Sequence, residues 1–200
     1  MSGTFPTSPA PTSIEVQSIE PTAVSVALNL RRQARSRGGQ RWLFKVVFPV
    51  MTRAEFDPIF AFSVAQRGQF ETFSWTPTTI GTSRGATSEN PVVNGTASIG
   101  ALSCSVDGLS ASTSNILRAG DYFKFSGHGK IYMVSADMTS ASDGTATLNF
   151  VPQLTTAVAN NETIGQNAVV FNVAFASDIR QFSTNETSYY NYEIDLIEVP

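Results

Sequence analysis

The stretch Arg41-Trp42-Leu43-Phe44-Lys45-Val46-Val47-Phe48-Pro49 decides the fold. Trp42, Phe44, Val46 and Phe48 fall on every second position, and a side-chain repeat of two puts all four on one face of an extended strand. Four large apolar groups on one face need a core, so the stretch reads as a sheet strand that is apolar on one side. Upstream, from Ile14 onward, Val24, Val26, Leu28 and Leu30 keep the same period. Arg31 to Arg37 and then Gly38-Gly39 separate the two runs, and the whole reads as a long β-hairpin with a basic tip and one buried face.

Downstream the period changes. Thr52 with Glu55 three positions later is a capping-box pattern, and Phe56, Ile59, Phe60 and Val64 then line one side of a helix ending near Gly68. Pro58 falls in or just after the first turn, where it costs least. Phe70 to Thr76 returns to alternation, with Phe73 and Trp75 as large packing residues. At the far end of the chain Val169, Phe171, Val173 and Phe175 alternate, and Tyr190, Tyr192, Ile194, Leu196 and Ile197 form a last strand. These terminal strands need a partner, and the economical solution is that they close the sheet opened by residues 14–76.

Between these regions, from about Ile80, the composition shifts to Gly, Ser, Thr and Asn. Pro91–Ile99, Tyr122–Phe125, Lys130–Ala136 and Thr145–Phe150 are short β-rich runs. They are punctuated by Asn94-Gly95, Asp107-Gly108, Gly127 to Gly129 and Asp143-Gly144. Such a series fits a small OB-like Greek-key barrel or a small sandwich. The fold class is therefore all-β, mainly β with one short helix: a discontinuous, β-sandwich-like outer domain with an inserted OB-like barrel. The division places an extended, proline-rich N-terminal arm at 1–13, the outer domain at 14–80 plus 166–200, and the insert at 81–165.

Composition restricts the function. Charged residues make up 14% of the 200, against about 25% in an ordinary soluble domain. A weakly charged, hydroxyl-rich surface suits faces covered by copies or neighbours, since interface cores are depleted in charge; a sandwich that stays monomeric fits as well. A net charge of −3 supplies no field for nucleic acid, and no sequence-specific nucleic-acid partner is expected. Cys104 is the sole cysteine and His128 the sole histidine, which leaves no intrachain disulfide and no Cys/His metal cluster. Neither a signal peptide nor a run of about 18 apolar residues is present, so synthesis in a cytoplasm without membrane insertion is expected. Asn-x-Thr triplets at Asn94, Asn161 and Asn185 read as turn chemistry.

Chemistry-bearing groups are sparse. His128 lies in Ser126-Gly127-His128-Gly129-Lys130, which reads as a tight turn between strands, and the same residues lack the spacing and the following helix of a phosphate loop. Glu193 and Asp195 share a strand face, a spacing open to glycoside hydrolysis but more common on a solvated or interfacial face. No catalytic, metal-binding or cofactor-binding residue is assigned, and no enzymatic activity is expected. The one charge feature is the cluster Arg31, Arg32, Arg35, Arg37 and Arg41, with Lys45 beyond. Guanidinium groups at this density suit carboxylates on a partner; alternatively they solvate a hairpin tip and guard a sheet edge. With Tyr189, Tyr190 and Tyr192 of the terminal strand, they are the candidate partner-interface residues.

Ile116-Leu117-Arg118-Ala119-Gly120-Asp121-Tyr122-Phe123-Lys124-Phe125, then His128, Lys130-Ile131-Tyr132-Met133-Val134 and Leu148-Asn149-Phe150-Val151-Pro152-Gln153-Leu154, resemble the inserted barrel of distal tail proteins of long-tailed, siphovirus-like bacteriophages. Arg37 to Trp42, Met51 to Phe56 and Ala65 to Phe70 resemble the outer domain of the same proteins. The resemblance implies a structural virion protein made in the host bacterial cytoplasm. In such a tail, a hexameric ring of these subunits joins the tail tube to the tail tip or baseplate, with the outer domains around a channel and the barrels pointing outward. Partners would be copies of itself, the tube protein and the tip or hub proteins. Two alternatives stand beside it. One is a virion carbohydrate- or receptor-binding module, motivated by Tyr122, Phe123, His128 and Tyr132; the other is a tube or tube-terminator component.

Overall fold

In a computed structural model that describes residues 3–85, 88–185 and 189–200, the chain begins with β1 (Ser13–Ile19), β2 (Thr22–Val26), β3 (Arg32–Ser36) and β4 (Arg41–Val47). Helix α1 (Arg53–Ala65) and β5 (Phe73–Trp75) follow. Then come β6 (Val92–Val93), β7 (Ser103–Asp107), β8 (Tyr122–Phe125), β9 (Tyr132–Val134), β10 (Ala146–Val151) and β11 (Ile164–Gly165). The chain ends with β12 (Phe171–Phe175), β13 (Ser183–Thr184), β14 (Tyr190–Asn191) and β15 (Glu193–Glu198). The fold is all-β with one helix among the described residues. It divides into two compact units, residues 1–73 with 173–199, and residues 74–172 with Pro200.

The first unit is built on a sheet of order β1-β4-β15-β12-β5. Strand β4 is central because its buried residues meet those of the terminal strand in register, Phe44 opposite Leu196 and Val46 opposite Ile194. Trp42, Phe44, Val46, Ile194 and Leu196 are all buried. The buried carboxylate of Glu198 accepts a hydrogen bond from the Trp42 amide at 3.2 Å. Helix α1 starts as its sequence directs: the Thr52 amide and hydroxyl both donate to Glu55 Oε2, at 2.9 and 2.8 Å. These two bonds hold the Glu55 carboxyl below its ordinary range.

The buried face of the helix differs from the expected one. Phe56, Ile59 and Ser63 are buried, whereas Val64 is 52% exposed. Ser63 fits because its hydroxyl donates back to the Ile59 carbonyl at 2.8 Å, so no polar group is left bare. Phe5, in the proline-rich arm, is buried with its ring 5.5–6.0 Å from those of Phe48, Phe62 and Phe73. The arm is thus anchored on its own chain.

The hairpin also departs from expectation. The partner of β4 is β1, from Ile19 opposite Arg41 to Ser13 opposite Val47. Val24 and Val26 instead belong to a separate two-stranded ribbon, β2–β3. Val24, Val26, Leu28 and Leu30 are 50%, 59%, 107% and 85% exposed, so the alternation there marks an apolar face that none of the described residues buries. The tip is apolar rather than basic. It turns at Ala27 to Arg31, with the Leu30 amide bonded to the Ala27 carbonyl and Leu30 at φ 62°.

The second unit is a six-stranded sheet of order β11-β8-β9-β10-β7-β6. An antiparallel bridge from Val92 to Thr163 joins its two outer strands and nearly closes a barrel. Strand β10 pairs with β7 through residues 146–149 and with β9 through Phe150 and Val151, so it serves two neighbours in succession. The interior is aromatic: Phe123, Phe125, Tyr132 and Phe150 are buried with ring centroids 5.3–5.9 Å apart. Of the runs read from sequence as strands, Tyr122–Phe125 keeps its bounds as β8, Thr145–Phe150 is shifted by one residue as β10, and Pro91–Ile99 and Lys130–Ala136 are shortened to β6 and β9, while β7 and the two-residue β11 were not read as strands.

Candidate subunit interface

The ribbon is the feature that the rest of the first unit leaves uncovered. Register puts Thr22, Val24 and Val26 opposite Ser36, Ala34 and Arg32, so these six side chains point to one side. Ala23 and Ser25, opposite Arg35 and Gln33, point to the other. One side thus carries Val24, Val26 and Ala34 with two hydroxyls and Arg32, and the other carries Ala23 and Ser25 with Gln33 and Arg35. The ribbon joins the sheet through Glu20-Pro21 on one strand and Gly38-Gly39 on the other, where both glycines take positive φ, 68° and 73°. That backbone region is open to glycine without strain. Three bonds brace the junction, from the Arg37 amide to the Pro21 carbonyl, from the Ser36 hydroxyl to Glu20 at 3.2 Å, and from the Gly38 amide to the Ser36 hydroxyl.

Arg31, Arg32, Arg35, Arg37 and Arg41 are all exposed, and none forms an ion pair among the described residues. Four of them lie in residues 21–40, a span with no acidic residue; since the whole chain carries −3, the remainder carries −7. The positive charge of the ribbon is therefore spread along β3 and its flanks, not gathered at the turn.

The tyrosines separate. Tyr189 is 45% exposed, and Tyr190 is half-buried with its ring stacked on Phe56 at 4.6 Å. Tyr192 is 3% exposed, its ring 5.7 Å from Phe56 and 6.0 Å from Phe48. It faces the core because β15 alternates and Tyr192 has the parity of Ile194 and Leu196. Tyr192 is thus removed from the candidate surface.

The outward side of the sheet presents Glu15, Gln17 and Ile19 from β1, Arg41, Leu43, Lys45 and Val47 from β4, and Glu193, Asp195 and Ile197 from β15. Glu15, Lys45 and Asp195 form one cross-strand row, and Lys45 Nζ is 3.3 Å from Glu193. At the ribbon end of this side, Ile19, Pro21, Leu43 and Ile197 line an apolar groove of about 460 Å³ rimmed by Arg37 and Arg41.

The other residues singled out by sequence are structural. His128 is buried in its turn and shares a hydrogen bond with the Tyr132 hydroxyl at 3.0 Å. Phe123 and Tyr132 lie in the barrel interior and offer no stacking platform to a sugar. Cys104 points into the same interior, where burial pushes its thiol up to about 11. Among the described residues no group of three or more His, Cys, Asp or Glu is placed to hold a metal, and no helix is long and apolar enough to cross a membrane.

One cluster was missed by sequence reasoning. Asp121, buried, accepts hydrogen bonds from the Arg118 amide (2.9 Å), the Ser83 hydroxyl (2.7 Å), the Arg84 amide (3.2 Å) and Arg84 Nε (3.1 Å). Burial raises its pKa, but the hydrogen bonds from Arg118, Ser83 and Arg84 outweigh burial and hold the carboxyl below the usual value of 3.8. The Arg118-Ala119-Gly120-Asp121 turn is therefore a clasp that ties residues 83–84 to the barrel. Its sequence signals were an aspartate opening an apolar strand and the place of Arg118-Ala119-Gly120-Asp121 in the stretch that resembles distal tail proteins.

Residues 82–173, a little under half of the chain, match the family model described as distal tail protein pb9, B domain. No curated protein matches the chain. The matched span covers the Asp121 clasp, all six barrel strands and the return into β12. Residues 82–173 thus match the B domain of distal tail proteins, and this match supports a structural protein of a bacteriophage tail.

Proposed function

We propose that the chain is a ring-forming distal tail subunit that closes with copies of itself, in a hexamer as the resemblance implies, and joins the tail tube to the tip or baseplate. In this reading the barrel is of the OB kind and is carried on the outside, the tube and tip proteins are the neighbours, and the chain performs no catalytic step. The observation that supports it is the β2–β3 ribbon, whose side chains are exposed along nearly its whole length. A two-stranded hairpin is marginal in water by itself, so a ribbon of this kind is stabilised by what it touches in the assembly. A subunit with two different, complementary faces closes into a ring after a fixed number of copies.

Native mass spectrometry of the purified chain, followed by negative-stain imaging, tests the proposal. One ring species is the expected result. Monomers alone, even with the neighbouring tail proteins added, would overturn it.

A further inference from the structure

We infer that the β2–β3 ribbon of one copy docks on the outward sheet face of the next, at the carboxylate row Glu15 and Asp195 beside Glu193. The inference rests on the ring reading and adds the landing surface. Two properties of the ribbon define its partner. Its apolar side, Val24, Val26 and Ala34, needs apolar area to cover it, and its flanking arginines need carboxylates. The outward face supplies both within one patch. Leu43 and Ile197 are half-buried and paired across two strands, one row from Lys45 and Asp195, and half-buried Val47 lies opposite Glu193 in the row beyond. Glu15, Asp195 and Glu193 surround the lone Lys45, which leaves this end of the face acidic. Arg180, which senses Asp195 from the side, is itself set over the Phe175 ring at 3.7 Å.

Sizes agree. Five residues of strand span roughly 16 Å at the usual rise, and three strands are roughly 10 Å across. The ribbon's arginines are directed to the carboxylate row and away from the far rim of the groove that Leu43 and Ile197 also line, since Arg37 and Arg41 stand there and would repel Arg31 and Arg32. A ribbon that leaves one copy and lands on a different surface of the next is a head-to-tail contact, the kind that generates rings.

A charge-swap cycle tests the contact. Arg32→Glu reverses the charge on the ribbon's apolar side, Glu15→Lys/Asp195→Lys reverses the face, and a third chain carries all three changes. All sites are exposed, and each variant is first checked for an unchanged melting temperature. Each reversal alone is expected to weaken assembly by about tenfold or more, and the combined chain to recover most of the loss. In a second arm, Val26→Cys and Gln17→Cys chains are mixed with a short bismaleimide and should give dimers only when both are present, because Cys104 is buried.

Rings that survive each reversal, or fail to recover in the combined chain, would overturn this docking face while leaving the ring reading standing. So would rings without the mixed cross-link. A native chain that never assembles would overturn both.

Discussion

The ribbon and the barrel are made from the same kind of sequence, short alternating runs between turns, yet they end in opposite conditions. In the barrel, Phe123, Phe125, Tyr132 and Phe150 meet one another and are sealed. In the ribbon, Val24 and Val26 meet only Ala34 and Arg32 across the strands and stay open. Alternation therefore specifies which side of a strand is apolar, and a separate fact decides whether the cover belongs to the same chain.

The comparison breaks most directly in the barrel. Phe123→Ala removes a ring at the centre of the aromatic cluster and is expected to cost about 3–5 kcal/mol in urea unfolding. A loss under about 1 kcal/mol would mean the interior is loosely packed. Asp121→Asn keeps the shape but removes the charge from four hydrogen bonds, with an expected cost of about 1–3 kcal/mol. The pH dependence follows from the sign of the shift. The folded carboxyl lies below its usual 3.8, so its contribution is complete above that value and is lost as pH falls through the folded value. The gap between native and variant stability should accordingly narrow only on the acid side of about pH 4.

Ribbon substitutions sharpen the other half. Val24→Ser/Val26→Ser should change the stability of the isolated subunit by about 0.5 kcal/mol or less while reducing assembly in native mass spectrometry. A large loss in the monomer would show a cover within the chain. The smallest effect is on Cys104, which should resist maleimide in the native state and react once urea unfolds the barrel, since its thiol is raised to about 11.

Local signals read well. Thr52 and Glu55 marked the helix start, and Tyr122–Phe125 was placed with the bounds that β8 adopts. The all-β class followed from the periods alone. What escaped was pairing at a distance: nothing near Trp42 says that Ser18 rather than Val26 lies beside it. β11 has two residues, too few for a period to show. Val64 was placed on the inner side of α1 because it is apolar, but Ser63 takes that position by bonding its own backbone. At the candidate interface the arginines were visible as a cluster, whereas their spread along β3, with leucines at the turn, required the register. Tyr192 was grouped with its exposed neighbour Tyr189 because sequence proximity hides parity along a strand.

The bridge between Val92 and Thr163 has a consequence for how the second unit meets other molecules. Flanking bonds from the Val93 amide to the Glu162 carbonyl and from the Ile164 amide to the Pro91 carbonyl use up the lips of β6 and β11. A seam stitched in this way gives another chain no template on which to add a strand, so these barrels can meet one another at high concentration without seeding fibres.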